Sequence, residues 1–209
     1  MANAIGKAVR TSGHLFHCEP TAHGERPWQA KRFALQHAFD MGVDRVCWID
    51  ADHEIVDPDA FKRFLDQPLA QNTLHCGRLQ KDPITSVKKW GSRPGQAGPD
   101  KNLKIYQDCL KENGLVTSTH LGECILVYYL EPSEGLKFCS VWNSIALKLF
   151  ANSTTWTDGI SIGMSADALK IPVVPDLPRD TSLIGIKHLG IGHKMGYFLS
   201  TPCGPTTSR

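Results

Sequence analysis

Two aspartates, Asp50 and Asp52, follow directly on the apolar run Val46-Cys47-Trp48-Ile49. The short, β-rich segment Arg45–Ile49 reads as a buried strand. In an open α/β sheet, ligands gather outside the carboxyl ends of the strands. Two carboxylates spaced i, i+2 at such an end can converge on one cation. Oxygen donors suit a hard ion, Mg²⁺ or Mn²⁺, which bridges diphosphate oxygens and neutralises charge on a departing nucleotide. Asp-x-Asp after a strand also serves turns and helix caps, and nearby Asp57 and Asp59 read that way.

The elements around this turn follow from periodicity and punctuation. A helix is expected from Pro27 to Met41, with Pro27 in its first turn, Ala30, Ala34, Ala38 and Met41 on one face, and Gly42 ending it. Asp57-Pro58 opens a second helix carrying Phe61, Phe64 and Leu65. His14–Cys18 is a weak strand candidate. From Lys81 to Asn102, lysines mix with glycines and prolines, and the segment 81–104 reads as a mobile basic loop. Strands are expected at Cys124–Leu130, Lys137–Val141 and Ile171–Val174. A helical turn is expected near Ser144–Phe150 and a helix from Thr157 to Lys170, with Ile162, Ala166 and Leu169 on one face. The tail after Thr201 reads as frayed. Helices alternating with short buried strands predict an α/β domain with a mostly parallel central sheet flanked by helices.

Composition narrows the classes. The chain has 209 residues, enough for one α/β domain, and a hydrophobic fraction of 41% sufficient for a packed core. A net charge of +2 announces neither nucleic acid nor membrane. The seven cysteines are odd in number, form no CxxC pair, and read as buried free thiols of a reducing cytoplasm. No apolar stretch reaches membrane length, and Met1 to Thr11 lacks the apolar block of a signal peptide.

The stretch Ala30-Lys31-Arg32-Phe33-Ala34-Leu35-Gln36, leading into Val46-Cys47-Trp48-Ile49-Asp50-Ala51-Asp52, resembles the core of the GT-A glycosyltransferases, family-2-like members in particular. There a helix with a basic residue near its start leads into an apolar strand ending in a DxD motif. The resemblance implies a single GT-A (Rossmann-like) domain over 1–209, with 1–70 as the donor and metal half and 120–200 as the acceptor half. It also implies that Asp50 lies near the donor ribose or the metal, that Asp52 ligates the metal, and that Lys31 or Arg32 stands near the nucleotide. Each of those two cations equally suits a solvated helix face.

Phe138-Cys139-Ser140-Val141-Trp142-Asn143, followed by Thr155-Trp156-Thr157-Asp158-Gly159, is similar to the acceptor half of the same family. The usual Glu-Asp pair is Thr157-Asp158 here, so only Asp158 carries over. In inverting members this aspartate takes the acceptor's proton, and a helix N-terminus keeps such a carboxylate ionised and fixed. The late histidine that completes the metal shell or touches the diphosphate would be His188, with His193 as its substitute, and Lys194 would neutralise phosphate. Trp142 and Trp156 suit either sugar stacking or the core. The likeness runs roughly from Glu25 to Gly196 and is weakest from Leu69 to Leu121. The family's opening strand would fall at Ala8–Cys18, which matches poorly.

The resemblance implies a Mn²⁺- or Mg²⁺-dependent hexosyltransferase of the cytoplasm, or of a phage-infected host's cytoplasm, with a nucleotide-sugar donor (a UDP-sugar foremost) and no membrane. Small phage-type enzymes of this kind glycosylate hydroxylated DNA bases, and the basic loop would suit a phosphate backbone. Small molecules, glycans and protein side chains are the other acceptor classes. Two further readings stand beside this one. A metal-dependent phosphohydrolase or nuclease would need more clustered carboxylates than Glu54, Glu123 and Glu131 supply in any pattern. A non-catalytic module would bind nucleic acid or sugar through the basic loop.

Overall fold

The computed structural model describes residues 27–50, 53–80, 82–93, 97–122, 124–151 and 158–188. The strand candidates at His14–Cys18 and Ala8–Cys18 and the tail after Thr201 lie outside them.

Arg45–Ile49 forms strand β1, as its composition predicts. It pairs antiparallel with β6 (Ile125–Tyr129), and β6 pairs antiparallel with β3 (Thr73–Cys76). β3 then pairs in parallel with β7 (Val173–Val174), giving a four-stranded sheet in the order β1-β6-β3-β7. The protein is thus α/β, but the expected mostly parallel sheet is corrected to a mixed one, since two of its three pairings are antiparallel. A run of apolar residues buried on both faces reads alike in either direction, so composition could not give the sense of pairing.

Alternation along β6 divides the core in two. Leu126 and Tyr128 join a large cluster with Leu35, Phe39, Phe138, Trp142, Ile145 and Leu149. Ile125 and Val127 point the other way, into a smaller cluster with Phe61, Phe64, Leu177, Ile184 and Ile186. Both sheet faces are therefore covered.

Helix α1 (Pro27–Asp40) lies on the side of the large cluster. Its buried row is Lys31, Leu35 and Phe39, one position beyond the expected face of Ala30, Ala34, Ala38 and Met41. Met41 is exposed. Burying two large side chains outweighs burying alanines, and it carries a lysine inward with them. Helix α2 (Pro58–Asp66) begins where expected. Asp57 caps it, accepting from the backbone N–H groups of Asp59 and Ala60, and Phe61 and Phe64 are buried.

Two sequence expectations are overturned. The segment 81–104, read as a mobile loop, contains helix α3 (Pro83–Gly91) and the start of helix α4 (Pro99–Glu112). Asp82-Pro83 and Gly98-Pro99 are helix starts with proline at N1, and Val87 and Tyr106 supply apolar anchors. The expected strand Lys137–Val141 lies inside helix α5 (Pro132–Ala151), which also absorbs the turn at Ser144–Phe150. Phe138, Trp142, Ile145 and Leu149 are all buried at helical spacing. Five residues were too short a window to reveal that period.

Helix α6 (Asp158–Ala168) falls within the expected Thr157–Lys170, but it has no single buried face, since Gly159 through Ala166 are all buried. Two short antiparallel pairs complete the fold. β4 (Leu79–Gln80) pairs with β5 (His120–Leu121), and β2 (His53–Ile55) with β8 (Ile186–His188), which follows a 3-10 turn at Thr181–Ile184.

Of the cysteines expected to be buried thiols, Cys76, Cys109 and Cys139 are buried and Cys47 is half-buried, whereas Cys124 is exposed. Burial pushes the pKa values of the three buried thiols up, to about 11 for Cys76 and Cys109 and about 12 for Cys139. None is a nucleophile at neutral pH.

His120 is buried beneath α6, and burial, with Arg78 nearby, pushes its pKa down to about 4 from 6.5. The folded chain therefore refuses a proton that the unfolded chain accepts. Stability contributed by neutral His120 is complete above pH 6.5 and falls as the pH drops toward about 4. The full loss is about 3 kcal/mol. Denaturation measured across that window should show this acid-side slope, and His120→Gln should flatten it. An equal slope in the variant would assign the loss to other groups.

Candidate active site

Three side chains from distant parts of the chain meet at the carboxyl end of β1. Asp50 continues that strand, and its N–H donates to the carbonyl of Cys124 at 3.0 Å. Its Oδ1 accepts from the indole Nε1 of Trp48 at 2.7 Å. Residues i and i+2 of a strand share a face, so the indole can orient the carboxylate. Lys31 reaches the same Oδ1 from α1 at 3.4 Å and Oδ2 of Asp158 at 3.3 Å. The lysine side chain is 5% exposed, against 31% for Asp50 and 15% for Asp158. Its ammonium also stands 5.0 Å from the centre of the Trp48 ring, within range of a cation–π contact.

Asp158 is the first residue of α6, and that helix is seated with little freedom. A Cβ on Gly159 would come within 2.0 Å of the carbonyl oxygen of Leu121, and one on Gly163 within 2.1 Å of that of Thr119. The two glycines let the helix lie directly on the backbone of β5 and its approach. Asp167 then accepts from the N–H of Thr119 at 2.5 Å and from its hydroxyl at 3.0 Å. The Trp142 indole donates to Ser161 Oγ at 2.8 Å, and that hydroxyl donates to the carbonyl of Asp158 at 2.9 Å. The carboxylate is thus held by packing as well as by charge. Burial raises the Asp158 carboxyl above the usual aspartate range, and Lys31 offsets only part of that.

Of the sequence candidates, Asp50, Asp158 and Lys31 come together. Arg32, from the same helical turn, donates to Gln36 at 2.8 Å and lies over the Phe33 ring. His188 stands on β8 directly opposite His53, with ring centres 4.8 Å apart. His53 in turn donates its N–H to the carbonyl of Asp50 at 3.2 Å, so His188 belongs to the neighbourhood of the acidic turn. Asp52, Lys194, His193 and Trp156 lie outside the described residues. Trp142 is fully buried and bonded to Ser161, so the core reading holds for it and the sugar platform does not.

Sequence reading missed Trp48, although its i, i+2 spacing from Asp50 was visible. It also missed Gly159, Gly163 and Asp167, which carry no signal apart from their partners near Thr119.

Among the described residues, no three His, Cys, Asp or Glu side chains gather into a metal site. The cation between Asp50 and Asp158 is an ammonium. The described residues therefore do not fit a divalent ion held between that pair. Likewise, no described helix is long and apolar enough to cross a membrane. No protein-family model, no curated protein and no solved structure matches the chain, so its function is read from this geometry.

Proposed function

We propose that the chain is a glycosyltransferase with a single GT-A-like domain, moving a sugar from a nucleotide-sugar, a UDP-sugar foremost, to an acceptor hydroxyl. The observation that carries this reading is the convergence of Asp50, Lys31 and Asp158. It joins the carboxyl end of β1, an edge strand of the four-stranded sheet, to a carboxylate fixed at a helix N-terminus. These are the donor and acceptor halves that the sequence resemblance implies.

In this reading Asp158 accepts the proton of the acceptor hydroxyl as that oxygen bonds to the anomeric carbon and the nucleoside diphosphate leaves. Inversion at the sugar follows from a single displacement. A raised carboxyl pKa makes Asp158 a better base once it is ionised. Lys31 holds it in place, and Asp50 is oriented by Trp48 toward the donor. A hydroxylated DNA base is the acceptor class favoured by the exposed cations Lys88 and Lys89 on α3, Arg93 just beyond it and Lys101 at the start of α4. The phosphohydrolase reading has less support, because Glu54 is exposed on β2 and Glu131 is bonded to Gln71 on the surface.

Thermal denaturation with a panel of nucleoside diphosphates and nucleotide-sugars tests the proposal. A donor present at 100 times its Kd stabilises the fold by about 2.7 kcal/mol. At least one should raise Tm in the native chain and lose that effect in Asp50→Ala. No response to any of them would discard the proposal.

A further inference from the structure

A cation standing between two carboxylates from distant segments is what a divalent metal commonly provides. Here a buried side chain of the protein provides it, with Lys31 at 3.4 Å from Asp50 and 3.3 Å from Asp158. We infer that Lys31 is the resident cation of this site and excludes divalent metal from the Asp50–Asp158 pair. The inference concerns the site alone and holds whether or not the chain transfers sugar.

Three observations carry it. The first is charge. Among the described residues, two carboxylates and one ammonium leave a net charge of one negative unit, whereas adding Mg²⁺ or Mn²⁺ between them would set three positive charges against two. The second is the occupancy of the oxygen nearest the lysine. Oδ1 of Asp50 already accepts from Trp48 at 2.7 Å while facing the ammonium. A metal would have to compete for an oxygen that two donors approach. The third is anchoring. Lys31 shares its helical face with Leu35 and Phe39, both in the large core cluster. The lysine backbone is thereby held against the sheet, and moving its head group aside would strip a buried ammonium of two carboxylates. An Asp50–Asp158 pair bridged by an ammonium would be indifferent to chelators.

Terbium luminescence sensitised by tryptophan reads this directly, because Trp48 is bonded to Asp50. The full native chain should give no Tb³⁺ signal that both depends on Asp158 and is displaced by Mn²⁺. Lys31→Met keeps the length of the side chain and removes its charge. It should gain Tb³⁺ affinity of at least about 100-fold, and the gain should vanish in Lys31→Met/Asp158→Asn. Lys31→Arg keeps the charge and should stay dark.

Circular dichroism establishes whether Lys31→Met is folded. If it is folded and gains no Tb³⁺ site, the inference is overturned. If it is unfolded, the native chain decides by Mn²⁺ titration against Asp158→Asn. Binding abolished by Asp158→Asn overturns the inference. Binding that Asp158→Asn leaves unchanged, or no binding at all, supports it.

Discussion

Asp158→Asn is expected to lower the transfer rate by about 100- to 10,000-fold, the usual contribution of a positioned general base, while donor binding survives. The amide keeps the shape of the side chain and its place at the start of α6, but it cannot take a proton. Stability should not fall with activity. Burial holds the Asp158 carboxyl above the aspartate range, so the folded chain binds that proton more tightly than the unfolded chain does. The stability this gives is complete below the unfolded value of 3.8 and is lost as the pH rises through the folded one. At neutral pH the ionised group is thus a cost that catalysis requires, and the amide removes it. Lys31 keeps Asp50 as its counter-ion. Transfer rate and Tm measured together at pH 7 check this, with the rate lost and Tm held or raised. In the native chain, acid should suppress transfer from a pH above the ordinary aspartate range.

Gly159→Ala is expected to cost about 3 kcal/mol, as overpacking of a rigid site typically does. The new methyl would meet the carbonyl oxygen of Leu121 at 2.0 Å, and backbone cannot rotate away as the end of a long side chain can. Helix α6 must lift, and Asp158 lifts with it. Activity should therefore fall even at temperatures where the variant is fully folded. For a chain of this size each kcal/mol moves Tm by about 2–4 °C, so thermal denaturation resolves the effect easily. Gly122→Ala is the control. Its methyl would meet Arg78 Cβ at an ordinary 3.5 Å, and both Tm and activity should stay near native. A harmless Gly159→Ala would mean that α6 is not seated on β5 as described.

The sequence made some of this legible and hid the rest for physical reasons. β1 was readable to the residue, because the four apolar, β-rich positions after Arg45, ending at Asp50, admit few alternatives. The Asp57-Pro58 start was equally plain, since capping is a local interaction. Asp158 was placed at a helix start by the family resemblance, and α6 does begin there. What failed depended on partners far along the chain. The sense of the β1–β6 pairing, the inward turn of Lys31 and the close seat of Gly159 are all fixed by tertiary contacts. A lysine near a helix start reads as solvated until two carboxylates are found opposite it. Helix α5 was mistaken in part for a strand because Lys137–Val141, taken alone, shows no helical period.

Hydrogen exchange on the full chain, with and without a UDP-sugar, measures most directly whether Asp50, Lys31 and Asp158 form one donor-binding site. Slowed exchange is expected in two separate segments at once, the end of β1 through Asp50 and the first turn of α6 from Asp158. Protection that leaves both segments unchanged while the nucleotide is bound elsewhere would contradict the account.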